Sequence, residues 1–343
     1  MAHMGIISFP AEWYPQSGVQ ITWPHADTDW YEILDEVTSC YISFSKEILK
    51  REKLLIACVD ENDVLKHFTT QEQKNIIISQ INSNDTWARD HGPISVFINN
   101  KPSILDFGFN GWGLKFAANL DNQITKTLFD KEEYSSNVKH INKIDFILEG
   151  GAIESDGEGT LLTTSQCLLA PNRNQPMTKD EIEDYLINSF GLKRVLWLNH
   201  GYLAGDDTDS HIDTLARFCD KDTIAYVSCD DESDEHYEEL KKMEEELRLF
   251  KTFQNKPYNL IPLPMADVVI HDGYRLPATY ANFLIINGAV LVPTYASNKD
   301  EIAKSQLAIA FPNHDIIGID CRSLIKQHGS LHCVTMQLPE GFI

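Results

Sequence analysis

The chain has 343 residues, of which 43% are hydrophobic and 10% aromatic, enough for a large buried core and too apolar for general disorder. It carries 51 Asp and Glu against 29 Lys and Arg, a net charge of −22. Such a surface repels a phosphate backbone and attracts small cations, so nucleic acid is excluded as a natural partner.

In chain order, Met1-Ala2-His3-Met4 lacks the apolar core of a secretory segment and reads partly as a cloning scar. Strand VQITW (19–23) precedes a helix predicted over 30–50 and strand KLLIACV (53–59). A helix over 60–73 and strand NIIIS (75–79) follow, without a clear place in the scheme. From Ile94 a grammar of strand, strand, helix, strand recurs about every sixty residues. Strands ISVFI and SILDF turn at Asn99-Asn100, and a helical stretch near 119–131 leads to FILE (146–149). GGAIES turns through Asp156-Gly157 into GTLLTT, then helix 179–190 and VLWL (195–198). IDTLARF (212–218) turns into TIAYVSC, followed by a charged helix over 232–250 with Tyr237, Leu240, Met243 and Leu247 at helical spacing, and NLIPLP. NFLIING pairs with AVLVPTY, helix 299–310 and IIGIDC. The C-terminal LHCVTMQL has no helix of its own, whereas the N-terminus has one to spare. The two ends are therefore expected to build a fifth unit, closing a ring without exposed sheet edges. One domain over 1–343 follows, although length alone suggests roughly two domains of about 150 residues.

The seven cysteines include no C-x-x-C pair and mostly sit in apolar runs, as reduced thiols of a cytoplasmic protein do. The longest apolar stretch, 281–296, is interrupted by Asn287, Gly288 and Pro293, so no membrane span is expected.

Four polar clusters interrupt the strands: NDTWARDHGP (84–93), EGG (149–151), GDDTDSHID (205–213) and HGSLHC (328–333). Their representatives Asp90, Glu149, His211 and Cys333 lie 59, 62 and 122 residues apart, equivalent junctions of the repeat. In a ring, equivalent junctions face one axis, which gathers the clusters into one site.

NDTWARDHGP, FILEGGAIESDGEGTLLTT, DDTDSHIDTLARF, GSLHCVT and the N-terminal FPAEW resemble motifs of the agmatine deiminase and bacterial peptidylarginine deiminase family. The resemblance covers essentially the whole chain. It implies a five-bladed α/β propeller, the pentein fold of guanidine-modifying enzymes, and cofactor-free hydrolysis of a guanidinium to a ureido group and ammonia. By motif position it implies Cys333 as nucleophile, His211 as general acid/base, and Asp90 and Asp213 as guanidinium-binding carboxylates. Glu149 and Asp207 match further acidic positions. Where the family often has glycine before its histidine and in the lead to its cysteine, this chain has Ser210, His328 and Ser330.

The chemistry needs these groups. Carboxylates orient a planar guanidinium through paired hydrogen bonds, each contact near 4 Å contributing roughly 4 kcal/mol at an effective dielectric of 20 before desolvation. A free thiol ionises only slightly at neutral pH and needs a cationic neighbour. Attack yields an adduct from which His211 protonates departing ammonia. The covalent amidino-cysteine is then hydrolysed by water that His211 deprotonates. If both motifs are strands, His332 faces away from Cys333, while His211 and Asp213 share a face.

Trp87 and Trp112 are expected to line the entrance for the substrate's alkyl chain, or else to pack in the core. Glu12 and Asp207 would form an acidic entrance favouring the amine end of agmatine over an α-carboxylate. No metal is expected, since zinc spacings are missing and GDDTDSHID lacks the EF-hand pattern. Two other readings stand beside this one: deimination of peptidyl or free arginine, for which Arg89 and Arg173 are nearby cations, and a catalytically silent propeller that binds polyamines or a protein. Association into a homo-oligomer stays open.

Overall fold

The computed structural model describes residues 5–343, so the scar read at residues 1–4 lies outside the described residues. Five sheets share one connectivity: a strand, an antiparallel neighbour, a helix, and a third strand parallel to the second. One unit joins Ile94–Ile98, Lys101–Gly108, helix Ile124–Asp130 and Lys139–Ile147. The next joins Ile153–Ser155, Thr160–Thr164, helix Lys179–Phe190 and Arg194–Leu198. Ala216–Asp220, Thr223–Ser228, helix Tyr237–Leu249 and Asn259–Pro264 make the third. Leu284–Ile286, Ala289–Thr294, helix Asp300–Ala310 and Asp315–Asp320 make the fourth. The chain ends build the fifth: Thr335–Pro339 pairs antiparallel with Gln16–Thr22, which leads through helix Leu34–Leu49 to the parallel strand Lys53–Cys58. Ile76–Gln80 adds to that sheet beside Lys53–Cys58, which gives the NIIIS segment its place. The helix expected over 60–73 stops after Leu65, and a 3-10 turn, Glu72–Asn75, leads into the strand.

Local chemistry accounts for the connections. Asn99 and Asn100 both have positive φ, 50° and 61°, as a two-residue hairpin turn requires. Helix Lys179–Phe190 opens on a capping box of Thr178 and Glu181, which satisfies backbone N–H groups that a helix start leaves unpaired. The middle strands are buried on both faces, the reason they read as unbroken apolar runs. Leu240, Met243 and Leu247 are the buried side of helix Tyr237–Leu249, each contributing roughly 1.5–3 kcal/mol. Among the described residues no helix is long and apolar enough to cross a membrane.

Two predicted strands start later than expected. Ile212–Thr214 is a 3-10 turn and its strand begins at Ala216. His332 and Cys333 likewise lie in a turn, and the strand begins at Thr335. The strand-alternation argument therefore does not apply to His211, Asp213, His332 or Cys333. Their polar side chains stand in turns just outside the strands.

Candidate active site

The path out of strand Lys139–Ile147 reaches Glu149, and Gly150–Ala152 forms a 3-10 turn. A Cβ added to Gly151 would stand 2.6 Å from His211 Nδ1, 2.8 Å from Asp90 Oδ1 and 3.1 Å from Asp213 Oδ2. One on Gly150 would strike the carbonyl oxygen of Arg89 at 2.2 Å. The glycine pair is thus demanded by close approach: side chains from two other junctions meet over bare backbone.

Asp90 is fixed through both oxygens. Oδ1 accepts from the Gly151 N–H at 3.0 Å, and Oδ2 accepts from Trp112 Nε1–H at 2.9 Å. Burial pushes its pKa up to about 6 against the pull of His211. His211 Nδ1 lies 3.6 Å from Asp90 Oδ1, yet neither ring nitrogen has a hydrogen-bond partner. Burial opposes the imidazolium, but Asp90, Cys167 and Glu149 around it hold the pKa well above 6.5.

Cys333 Sγ lies 3.9 Å from Asp213 Oδ2 and 3.4 Å from Asn282 Oδ1. The same Asn282 oxygen accepts from the backbone N–H of His332 at 2.9 Å and of Cys333 at 3.3 Å, which pins the turn. Burial, with Asp213 and Asp90 adding to it, pushes the Cys333 thiol well above 9.0. Behind the thiol, His332 bridges two carboxylates, with Nδ1 2.8 Å from Asp213 Oδ2 and Nε2 2.7 Å from Glu12 Oε2. Burial would raise Asp213, but the bond and charge of His332 bring it below its usual 3.8. Glu12 also takes Arg217 Nη2 at 2.7 Å and the Ile285 N–H at 2.7 Å, and Arg217 pairs in turn with Glu154.

Glu12 therefore corrects the sequence reading. It is a buried strut with both oxygens engaged and cannot serve as an entrance acid. His332 is excluded as a base by these two carboxylates, and its facing plays no part. Trp87 packs on Trp30 with ring centroids 5.5 Å apart, and a Cβ on Gly329 would meet its ring at 2.1 Å. That places Trp87 in the core. Trp112 instead lines a cleft of about 560 Å³ together with Asp27, Asp29, Asp85 and Phe116.

The rim loop 205–210 is held by cations. Arg173 Nε bonds both oxygens of Glu149 at 3.0 and 3.2 Å, Nη1 bonds Asp209 at 2.7 Å and Nη2 the Thr208 carbonyl at 2.9 Å. Lys115 Nζ bonds the Asp207 carbonyl at 2.6 Å and Asp209 at 2.9 Å. Burial pushes the Asp207 carboxyl up to about 6, with His328 opposing.

Residues 8–339 match the family of Porphyromonas-type peptidyl-arginine deiminases. The chain belongs to that family. A Porphyromonas gingivalis protein provisionally named arginine deiminase has a crystal structure 53% identical to this chain, with a TM-score of 0.95 over 98% of this chain and 99% of its own. A substrate-bound C. jejuni agmatine deiminase carrying a cysteine-to-serine change is 41% identical, with a TM-score of 0.92 over 100% and 99%. The agmatine deiminase of Stutzerimonas stutzeri is 30% identical over 97% of this chain and 96% of its own. The α/β architecture of repeated modules is shared with the two solved deiminases.

The family's missing glycines now have a physical meaning. Ser210 and His328 both sit at positive φ, 63° and 67°, where glycine is the unstrained residue. His328 recovers part of that cost through a 2.6 Å bond between Nδ1 and the Gly205 carbonyl. Sequence reasoning missed Asn282 and Arg217. Asn282 lies inside a strand-like NFLIING run, and the partners of Arg217 are 63 and 205 residues away, so no local pattern marks either.

Proposed function

We propose that this chain is an agmatine deiminase, converting agmatine and water to N-carbamoylputrescine and ammonia through a covalent intermediate on Cys333. The observation that carries the reading is the meeting of Asp90, His211 and Asp213 over Gly151, with Cys333 beside Asp213. In this reading Asp90 and Asp213 hold the guanidinium between them. A thiol raised by burial and by these acids ionises when the bound cation offsets them, so substrate binding and thiolate formation are linked. The thiolate attacks the guanidinium carbon, and His211 as imidazolium, the form its acidic surroundings favour, gives its proton to the leaving ammonia. The neutral imidazole then takes a proton from water, which cleaves the S-alkylthiouronium and restores the thiol.

Three cations near the site bear on the substrate's other end. Arg173 and Lys115 are spent on Glu149, Asp209 and the rim loop, and Arg89 bonds Gln337 Oε1 at 2.5 Å. Arg89 Nη2 has no hydrogen-bond partner but is buried 3.9 Å from the Glu12 carboxylate, which offsets its charge, whereas the Asp207 side chain and the acidic cleft beside Trp112 suit an amine. We also place the protein in a reducing, cytoplasmic compartment, supported by seven cysteines that are all free and buried. Ammonia release from agmatine, free arginine and an arginine peptide, measured side by side, tests the reading. Agmatine should show the highest kcat/KM by tens to about a thousandfold, given roughly 2–4 kcal/mol of repulsion for a carboxylate. Equal or better use of either arginine substrate would overturn the agmatine assignment and leave the thiol mechanism standing, and no turnover of any would favour a silent binding propeller.

A further inference from the structure

Cys167 is a second buried thiol that the mechanism does not use. It lies on the short turn Ser165–Leu168, directly after strand Thr160–Thr164. One carboxylate oxygen of Glu149, Sγ of Cys167 and one ring nitrogen of His211 all lie within 4.8 Å of one another. Both ring nitrogens of the fully buried His211 lack a partner. Thr164 ties the two turns together: its hydroxyl donates to the Ser210 carbonyl at 2.8 Å and accepts from the Cys167 N–H at 3.3 Å.

We propose that Glu149, Cys167 and His211 form an inhibitory site for a thiophilic divalent cation of the zinc class. The inference rests on His211 being the acid/base of the reaction, because a metal there removes the lone pair that must accept the proton from water. Thiolate, imidazole and carboxylate are the donor set zinc prefers, and the thiolate disfavours Mg²⁺ or Ca²⁺. Metal bonds of about 2.0–2.3 Å put tetrahedral ligands roughly 3.3–3.8 Å apart, so side-chain shifts near 1 Å close the site. The carboxylate of Glu149 has about four acceptor positions, enough to keep Arg173 and still ligate. Binding releases two protons, one from the thiol and one from the imidazolium, and forms three metal bonds, the third from the Glu149 carboxylate, with no change of oxidation state. Arg173 and the closed rim limit affinity, which suits reversible inhibition and not a resident cofactor.

Two measurements test the site. In the first, Zn²⁺ is titrated into the wild type and into Cys167→Ala during agmatine turnover, with EDTA added at the end. Inhibition of the wild type should be reversed by EDTA. Relative to its own metal-free rate, the variant should need at least about 10- to 100-fold more Zn²⁺ for the same fractional inhibition, the scale at which loss of even an outer-shell group weakens a metal site. In the second, Cd²⁺ alone is added to Cys333→Ser and to Cys333→Ser/Cys167→Ser, and the ultraviolet thiolate-to-cadmium charge-transfer band is read. The band should persist in the first and vanish in the second. This arm reports on the site whether or not the chain deiminates agmatine. A band abolished by Cys333→Ser alone, or equal Zn²⁺ sensitivity with and without Cys167, would place the cation on the nucleophile and overturn the proposal.

Discussion

Two fully buried histidines stand at this site, and the protein treats them oppositely. His332 has both ring nitrogens bonded to carboxylates, and the chain of charges continues through Glu12, Arg217 and Glu154. His211 has no bonded nitrogen, and its Nδ1 lies 3.6 Å from Asp90. An unpaired buried polar group costs about 1–3 kcal/mol, which a fold tolerates where the group works. The satisfied histidine builds the site, and the unsatisfied one operates it.

His211→Asn tests the operating half and should have the largest effect. We expect kcat to fall by about 10²–10⁴-fold, the range for losing a general acid/base, while the melting temperature holds or rises. Steady-state kinetics beside a thermal melt decide it; kcat within tenfold of wild type would move the acid/base elsewhere.

Glu12→Gln tests the building half. Removing one partner of a buried charge pair leaves Arg217 less compensated and should cost about 3–5 kcal/mol of stability in urea unfolding. Unchanged stability would make the network dispensable and remove the contrast.

The next test uses pH. Burial raises Asp121 from 3.8 to about 7, although both its oxygens accept backbone N–H groups of the loop that carries Trp87, Arg89 and Asp90. A carboxyl with a raised folded value holds its proton in the folded chain while the unfolded chain has lost it. Its contribution therefore weakens stability as pH climbs from about 4 to about 7, then levels off. Denaturant unfolding at pH 5.5 and pH 8 should show the wild type losing more stability across that interval than Asp121→Asn. A steeper loss in the variant would reverse the sign.

Ser210→Gly should have the smallest effect. It relieves a positive φ next to His211 and raises stability by roughly 0.5–1 kcal/mol, after the extra freedom of glycine in the unfolded chain is subtracted. Calorimetry would read this as a small rise in melting temperature, and a fall would mean that the serine is needed where it stands.

Much of this is legible in the amino-acid sequence. The recurring module and the closure by both chain ends follow from apolar runs and turn residues, because middle strands buried on both faces leave a strong local signal. Glu149-Gly150-Gly151 and the acids around His211 were legible as polar breaks in that signal. The facing of His211 and Asp213 was not, because a polar run next to a strand looks like its first residues until the 3-10 turn is seen. Glu12 read as an entrance acid because nothing near it shows a partner; its charge is met by Arg217, 205 residues on. Ser210 and His328 looked like departures from the family, and only their φ values show what the departures cost.

The most direct test of the account is to quench the wild-type protein in acid during agmatine turnover and analyse its cysteine peptides by mass. We predict one modified peptide, with Cys333 carrying agmatine less ammonia, and none from Cys333→Ser, which should fold normally and lose turnover. An adduct on another cysteine such as Cys167, or turnover retained by Cys333→Ser, would contradict covalent catalysis at this position.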